Sequence, residues 1–168
     1  GHRTVWKTEK ICENKTADLI IFAIRKNAKK KETNIALGII QLITAIGAIP
    51  AGIMFIAEPS GKLIGMTTEM LTGSPFDSFF LPGLFLLVVN GIGNLTGSFL
   101  SFLKSNIAGQ SGILLGIMLS AWIVVQVFSI GLTSWMQPVF FGVGIAEILL
   151  GIAIYRNLKK HVLPKKNL

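Results

Sequence analysis

A single cysteine, Cys12, stands in 168 residues, which excludes a disulfide within the chain. The two histidines, His2 and His161, lie at opposite ends, and no grouping of Cys, His, Asp and Glu has metal-ligand spacing. Neither a metal nor a cofactor is therefore expected. Charge is scarce as well: 14% of the residues are Asp, Glu, Lys or Arg, where a soluble domain carries about 25%. Acidic residues are the scarcer sign, eight against sixteen basic. Four stretches, 34–56, 79–103, 109–130 and 138–158, are almost free of both.

What is present is apolar length. The chain is 51% hydrophobic with a mean hydropathy of +0.65. Each of the four stretches has about the 20 residues a helix needs to cross some 30 Å of hydrocarbon. The first is too long and too far from the N-terminus for a signal peptide. Gly1 rather than Met opens the sequence, as it would if a preceding segment had been removed. The expected fold class is all-α: a polytopic membrane protein whose four transmembrane helices form a bundle. A basic arm (1–33) precedes it, a loop (57–78) joins the first two spans, and a basic tail (159–168) follows.

The net charge of +8 is explained by its distribution. Of sixteen Lys and Arg residues, only Lys62 falls in the loop 57–78; the rest lie in the arm, at Lys104, or from Arg156 onward. This is the positive-inside pattern, which predicts a cell (inner or plasma) membrane protein with both termini cytoplasmic and the 57–78 loop outside. The basic surplus thus calls for anionic lipid of the inner leaflet as a partner, and no nucleic acid is expected. Within the arm, Ala17, Ile20, Ile21, Ile24 and Ala28 recur at helical spacing after Thr16, an N-cap candidate. A basic amphipathic juxtamembrane helix over 16–30, lying on the inner leaflet, follows from that pattern.

The outer loop carries turn chemistry at Glu58-Pro59-Ser60-Gly61 and Gly73-Ser74-Pro75. Between them, Leu63, Met66, Met70 and Leu71 share one helical face, which predicts a short interfacial helix. Phe76, Phe79, Phe80 and Trp135 are candidates for an aromatic belt, and Asp77 or Ser78 for the cap of the second span. The remaining loops are short, so consecutive spans are expected to be antiparallel neighbours.

Helices in lipid associate through close packing and hydrogen bonds, so small and polar residues mark their seams. Such stripes run through Asn34, Gly38, Gln41 and Ala45 of the first span, and Asn90, Gly93, Asn94 and Gly97 of the second. The third has Gly109, Gly112 and Gly116; the fourth has Gly144, Glu147 and Gly151. Glu147 is the only ionisable side chain well inside a span. A carboxyl at that depth costs about 2.5–3.5 kcal/mol to insert, so it needs a partner or a proton. On a glycine-lined face it should point into the bundle, with Asn90, Asn94 and Gln41 as candidate partners.

Three readings of function follow. In the first, Glu147 is a proton, cation or small-solute transport site on a path lined by Asn90, Asn94 and Gln41, within one chain or in a homo-oligomer. In the second, these groups form a hydrogen-bonded clamp, and the protein is an accessory or scaffold for a membrane partner protein. In the third, Glu58, Glu69 and Asp77 act as an outer-face enzyme. That third reading lacks the paired groups that acid-base work requires, and no enzyme is expected.

The Pro59-Ser60-Gly61, Gly73-Ser74-Pro75-Phe76 and Leu81-Pro82-Gly83 segments resemble those of uncharacterised small four-span bacterial membrane proteins. Asn90-Gly91-x-Gly93-Asn94 and Ser134-Trp135-x-Gln137-Pro138 fit the same likeness, which covers about the last 135 residues of the chain. It implies a fold and a membrane and no activity.

The orientation is testable at Cys12. A membrane-impermeant thiol reagent should leave it unmodified in intact cells and label it once the inner face is exposed; labelling from outside would reverse the topology.

Overall fold

The computed structural model describes the backbone of residues 2–162 and the side chains from Asp18 to Lys159, apart from Leu19, Ala23 and Lys26. It is helical, with no strand among the described residues. The chain divides into two units, Gly1–Glu32 and Thr33–Leu168. Helix α1 runs without interruption over His2–Ala57. The segment 16–30 is therefore part of a longer helix, and Thr16 does not start one; its side chain lies outside the described residues, as does that of Cys12. In the first unit Ile20, Ile21, Phe22 and Ile24 are all exposed.

In the second unit, residues 33–57 of α1 are joined by α2 (Phe80–Phe102), α3 (Ala108–Ile130) and α4 (Met136–Lys159, continuing helical to Val162). Four helices are thus long and apolar enough to cross a membrane, and they form a four-helix bundle. Lipid offers no drive to bury one oily face against another, so the contacts form where backbones can approach. One close approach joins α3 to α4. A Cβ on Gly116 would lie 2.5 Å from the Gly144 carbonyl oxygen, and one on Gly151 would lie 2.7 Å from the Gly109 oxygen. Gly112 faces Leu37 of α1. Along α1 and α2 the pairs Gly38–Phe102, Gly52–Leu87 and Phe55–Gly83 fix an antiparallel register. The Ser98 hydroxyl adds a bond to the Gly38 carbonyl at 2.8 Å.

The middle of α2, Leu86–Gly93, winds as a π-helix. Two glycines beside Asn90 lower the cost of leaving the α-ladder, and such wide turns recur at functional sites. At its start, Phe79 occupies the N-cap and no side chain caps the helix, so Asp77 and Ser78 do not serve as caps. At the far end, Lys104 adopts the left-handed conformation (φ 53°) that closes a helix C-terminus. Gly131 ends α3 at φ 74°, where a Cβ would be strained.

The loop between α1 and α2 departs from expectation. In place of one interfacial helix it forms two short 3₁₀ turns, Lys62–Ile64 and Thr68–Leu71, separated by left-handed Gly65. Leu71, Phe55 and Phe79 form a small core on which Ile64, Met66 and Phe76 pack, while Leu63 stays 61% exposed. Phe55 and Phe79 stack with centroids 4.9 Å apart. Phe76 and Phe79 therefore turn inward, and only Phe80 and Trp135 are placed as an exposed aromatic belt requires. The physical reason is burial: the loop covers apolar side chains at the helix ends instead of presenting its own. With the Ser60 hydroxyl and amide beside it, and Lys62 beyond, the Glu58 carboxyl is held below its ordinary value.

Gly116→Ala should force α3 from α4 and lower stability by about 1–3 kcal/mol. Gly142→Ala, where a Cβ meets nothing within 4 Å, should be neutral or slightly stabilising. Thermal unfolding in detergent, followed by circular dichroism, distinguishes the two; equal losses would mean that close backbone contact does not hold this pair.

Candidate functional site

Gly144 and Gly151 press α4 against α3, and Glu147, spaced three and four residues from them, enters the bundle with the same face. It is fully buried. Its Oε1 accepts a hydrogen bond from the Thr44 hydroxyl of α1 at 3.3 Å. That hydroxyl also lies 3.1 Å from the Ile40 carbonyl oxygen one turn back. Having one proton, it serves the two acceptors by sharing or by turns. Glu147 Oε2 finds no hydrogen-bond partner among the described residues.

The expected amide partners are placed differently. Asn90 and Asn94 are fully buried, yet neither amide makes a side-chain hydrogen bond among the described residues. Gln41, one turn from Thr44, accepts from the Ser101 hydroxyl at 3.0 Å and so ties α1 to α2. Glu147 is therefore joined to a hydroxyl rather than to an amide. Geometry explains the difference: the short Thr44 side chain reaches across where α1 passes α4, while Gln41 is occupied by α2.

A cavity of about 290 Å³ opens above this level, toward the loop end of the bundle. Thr44 and Asn90 are its deepest polar residues, and Ala48, Ala51, Leu119 and Ile123 are among its apolar walls. Trp122 also lines it, stacked on Phe85 at 4.8 Å, and the Trp122 indole N–H has no partner among the described residues. The loop residues Ile64, Met66, Leu71 and Phe76 close over the top. Beyond the cavity, Asn94, Ser98, Ser101, Gln41 and Asn34 continue as buried polar side chains toward the opposite end. At the loop end Gln137 is buried too, but its amide is consumed locally: its oxygen accepts from the Thr133 and Ser134 amides, and its nitrogen donates to Gly131.

Glu69 and Asp77 are exposed, Glu58 binds its own turn through the Ser60 amide at 3.3 Å, and the three gather no common site. No group of three or more His, Cys, Asp or Glu able to hold a metal occurs among the described residues. Of the glycines on the packing stripes, Gly112, Gly116, Gly144 and Gly151 meet neighbouring helices at close range, and Gly93 and Gly97 meet Leu115 of α3. Thr44 was not legible as Glu147's partner, although its place on the Gln41 stripe of α1 was the available signal. Trp122, one large apolar residue among many, gave none.

The chain matches no protein-family model, no curated protein and no solved structure. The likeness read from residues 58–83 accordingly brings no activity to it.

Thr44→Val should cost about 1–2 kcal/mol, because it removes a bond inside the bundle and leaves the carboxyl without its donor. Asn90→Leu should leave stability unchanged or raise it, since a buried amide without partners is replaced by an apolar side chain of similar size. Unfolding of both variants in one detergent checks the contrast; an Asn90→Leu loss as large as that of Thr44→Val would show that Asn90 holds the bundle together.

Proposed function

We propose that the protein transfers protons or small cations across a cell membrane at a mid-bundle site centred on Glu147. One observation carries this reading. The cavity ends at Thr44, which bonds Glu147, and a set of buried polar side chains continues from that level toward the opposite end. A polar side chain in hydrocarbon is costly, and among the described residues the spans bury nine, of which Asn90 and Asn94 make no side-chain hydrogen bond that would hold helices together. The charge asymmetry supports an orientation with both termini cytoplasmic and the cavity facing outward.

In this mechanism the carboxyl is the exchanging group. An incoming proton or cation reaches the Thr44 level through the cavity and passes beyond the cavity lining to Glu147 Oε2, the oxygen with no bond to surrender. The Thr44 hydroxyl swings between Glu147 and the Ile40 carbonyl, so charge on the carboxyl is stabilised when present and released when absent. Asn94, Gln41 and Ser101 then offer amide and hydroxyl groups toward the cytoplasmic end. A second copy of the chain could widen this path.

The other reading, a clamp in an accessory protein that docks a membrane partner, draws on the Thr44–Glu147 and Ser101–Gln41 bonds across helices. Flux of protons and monovalent cations into liposomes separates the two. Wild-type flux, reduced at least tenfold in a folded Glu147→Gln variant, is expected for transfer. An absence of flux in both proteins, with the variant only less heat-stable, would assign Glu147 to the clamp.

A further inference from the structure

We infer that the cavity under the loop is a binding site for a small neutral amphiphile, with its amide or hydroxyl head at Asn90 and Trp122 and its apolar body beneath the loop. The inference does not rest on ion transfer at Glu147, which does not line the cavity, although an occupant would obstruct the path proposed above. It begins with unmet hydrogen bonds. Asn90 is fully buried and Trp122 is 7% exposed, and both line the cavity. Neither the Asn90 oxygen, the Asn90 nitrogen nor the Trp122 indole nitrogen has a partner among the described residues. A buried amide without partners costs about 1–3 kcal/mol, and a group inside a bilayer has no bulk water to relieve it.

The chemistry of these groups selects the head. The Asn90 amide nitrogen and the Trp122 indole both donate, so the ligand must present an accepting oxygen. The Asn90 oxygen accepts, so the ligand must also carry a donor. A primary amide or a hydroxyl has both. Among the described residues no ionisable one lines the cavity, so an anionic head would find no counter-charge there and a cationic one no carboxylate. The walls and the loop cover select the body: they are mainly alkyl and aromatic side chains, with Gln126, Ser129, Thr133, Ser134 and Gln137 as further polar residues of the lining, and the volume of about 290 Å³ lies at the small end of ligand pockets. The loop fold fits this assignment, since Ile64, Met66, Leu71 and Phe76 line the cavity from above and the Phe55–Phe79 stack holds them there. The π-turn of α2 supplies the same site from the side, because Asn90 is one of its residues.

The test uses Trp122 as the reporter, in the 168-residue protein carrying Trp6→Phe and Trp135→Phe. The probe is 6-bromohexanamide, whose bromine quenches indole fluorescence on contact; 1-bromohexane, with the same body and no head, is the control. Saturable quenching by the amide is expected, at concentrations at least tenfold below those the bromoalkane needs. Asn90→Leu should weaken it at least tenfold, and so should Ala51→Leu, which fills the wall of the cavity without touching the head group. The second variant decides the matter if the first does not fold. Quenching should persist in Glu147→Gln, whether or not that variant alters flux. Quenching that rises linearly without saturation would overturn the site. Equal saturation by amide and bromoalkane, unaffected by Asn90→Leu, would overturn the head-group assignment and leave a slot for hydrocarbon, such as a lipid tail.

Discussion

Amides, hydroxyls and a carboxyl cannot face hydrocarbon without large cost, and nearly everything in the bundle depends on that constraint. Asn34, Gln41 and Thr44 on α1, Asn90, Asn94, Ser98 and Ser101 on α2, and Glu147 on α4 are each at most 2% exposed. Ile43, Ile46, Leu95, Phe99 and Leu149, near them in sequence, are turned outward. In an aqueous protein this arrangement would be inside out. In a bilayer it orients α1, α2 and α4 about their own axes, because rotation by half a turn would put an amide, a hydroxyl or a carboxyl into lipid.

Once the helices are oriented, the glycines decide how near they come. Gly116 and Gly144, with Gly109 and Gly151, bring the α3 and α4 backbones into contact. Gly52, Gly83 and Gly91 do the same between α1 and α2. The two tight pairs then meet through larger side chains, such as Leu37 against Gly112 and Phe140 beside Gly47. Backbone contact within pairs and side-chain contact between them leave room for the cavity, which is lined from all four helices. The loop of residues 58–79 closes that room at one end, and buries Phe79 and Leu71 in doing so.

Stability and chemistry pull apart at this site. Asn90, Asn94 and one oxygen of Glu147 remain without partners among the described residues, where an apolar side chain would be the stabler choice. By contrast, Gln137 and Ser98 are tied into local or cross-helix bonds and add to the fold. Buried groups that lower stability and still occupy the bundle centre mark where binding or transfer chemistry is to be sought.

The sequence by itself determined the class of architecture. Four apolar stretches of bilayer length, interrupted by one carboxyl and edged by basic residues, leave a helical bundle as the arrangement that satisfies every backbone group. The inward position of Glu147 followed from Gly144 and Gly151, since small residues and a polar one at helical spacing must share a buried face. Tertiary structure alone decided the carboxyl's partner, the fold of the loop and the existence of the cavity. Thr44 rather than Asn90 meets Glu147 because helix offset and side-chain reach, neither of which is written in periodicity, determine which residues touch. The 62–71 segment has the spacing of an amphipathic helix, but left-handed Gly65 and the apolar pocket between helix ends drew it into two turns instead. A cavity is the volume that four surfaces fail to fill, and that depends on all of them at once.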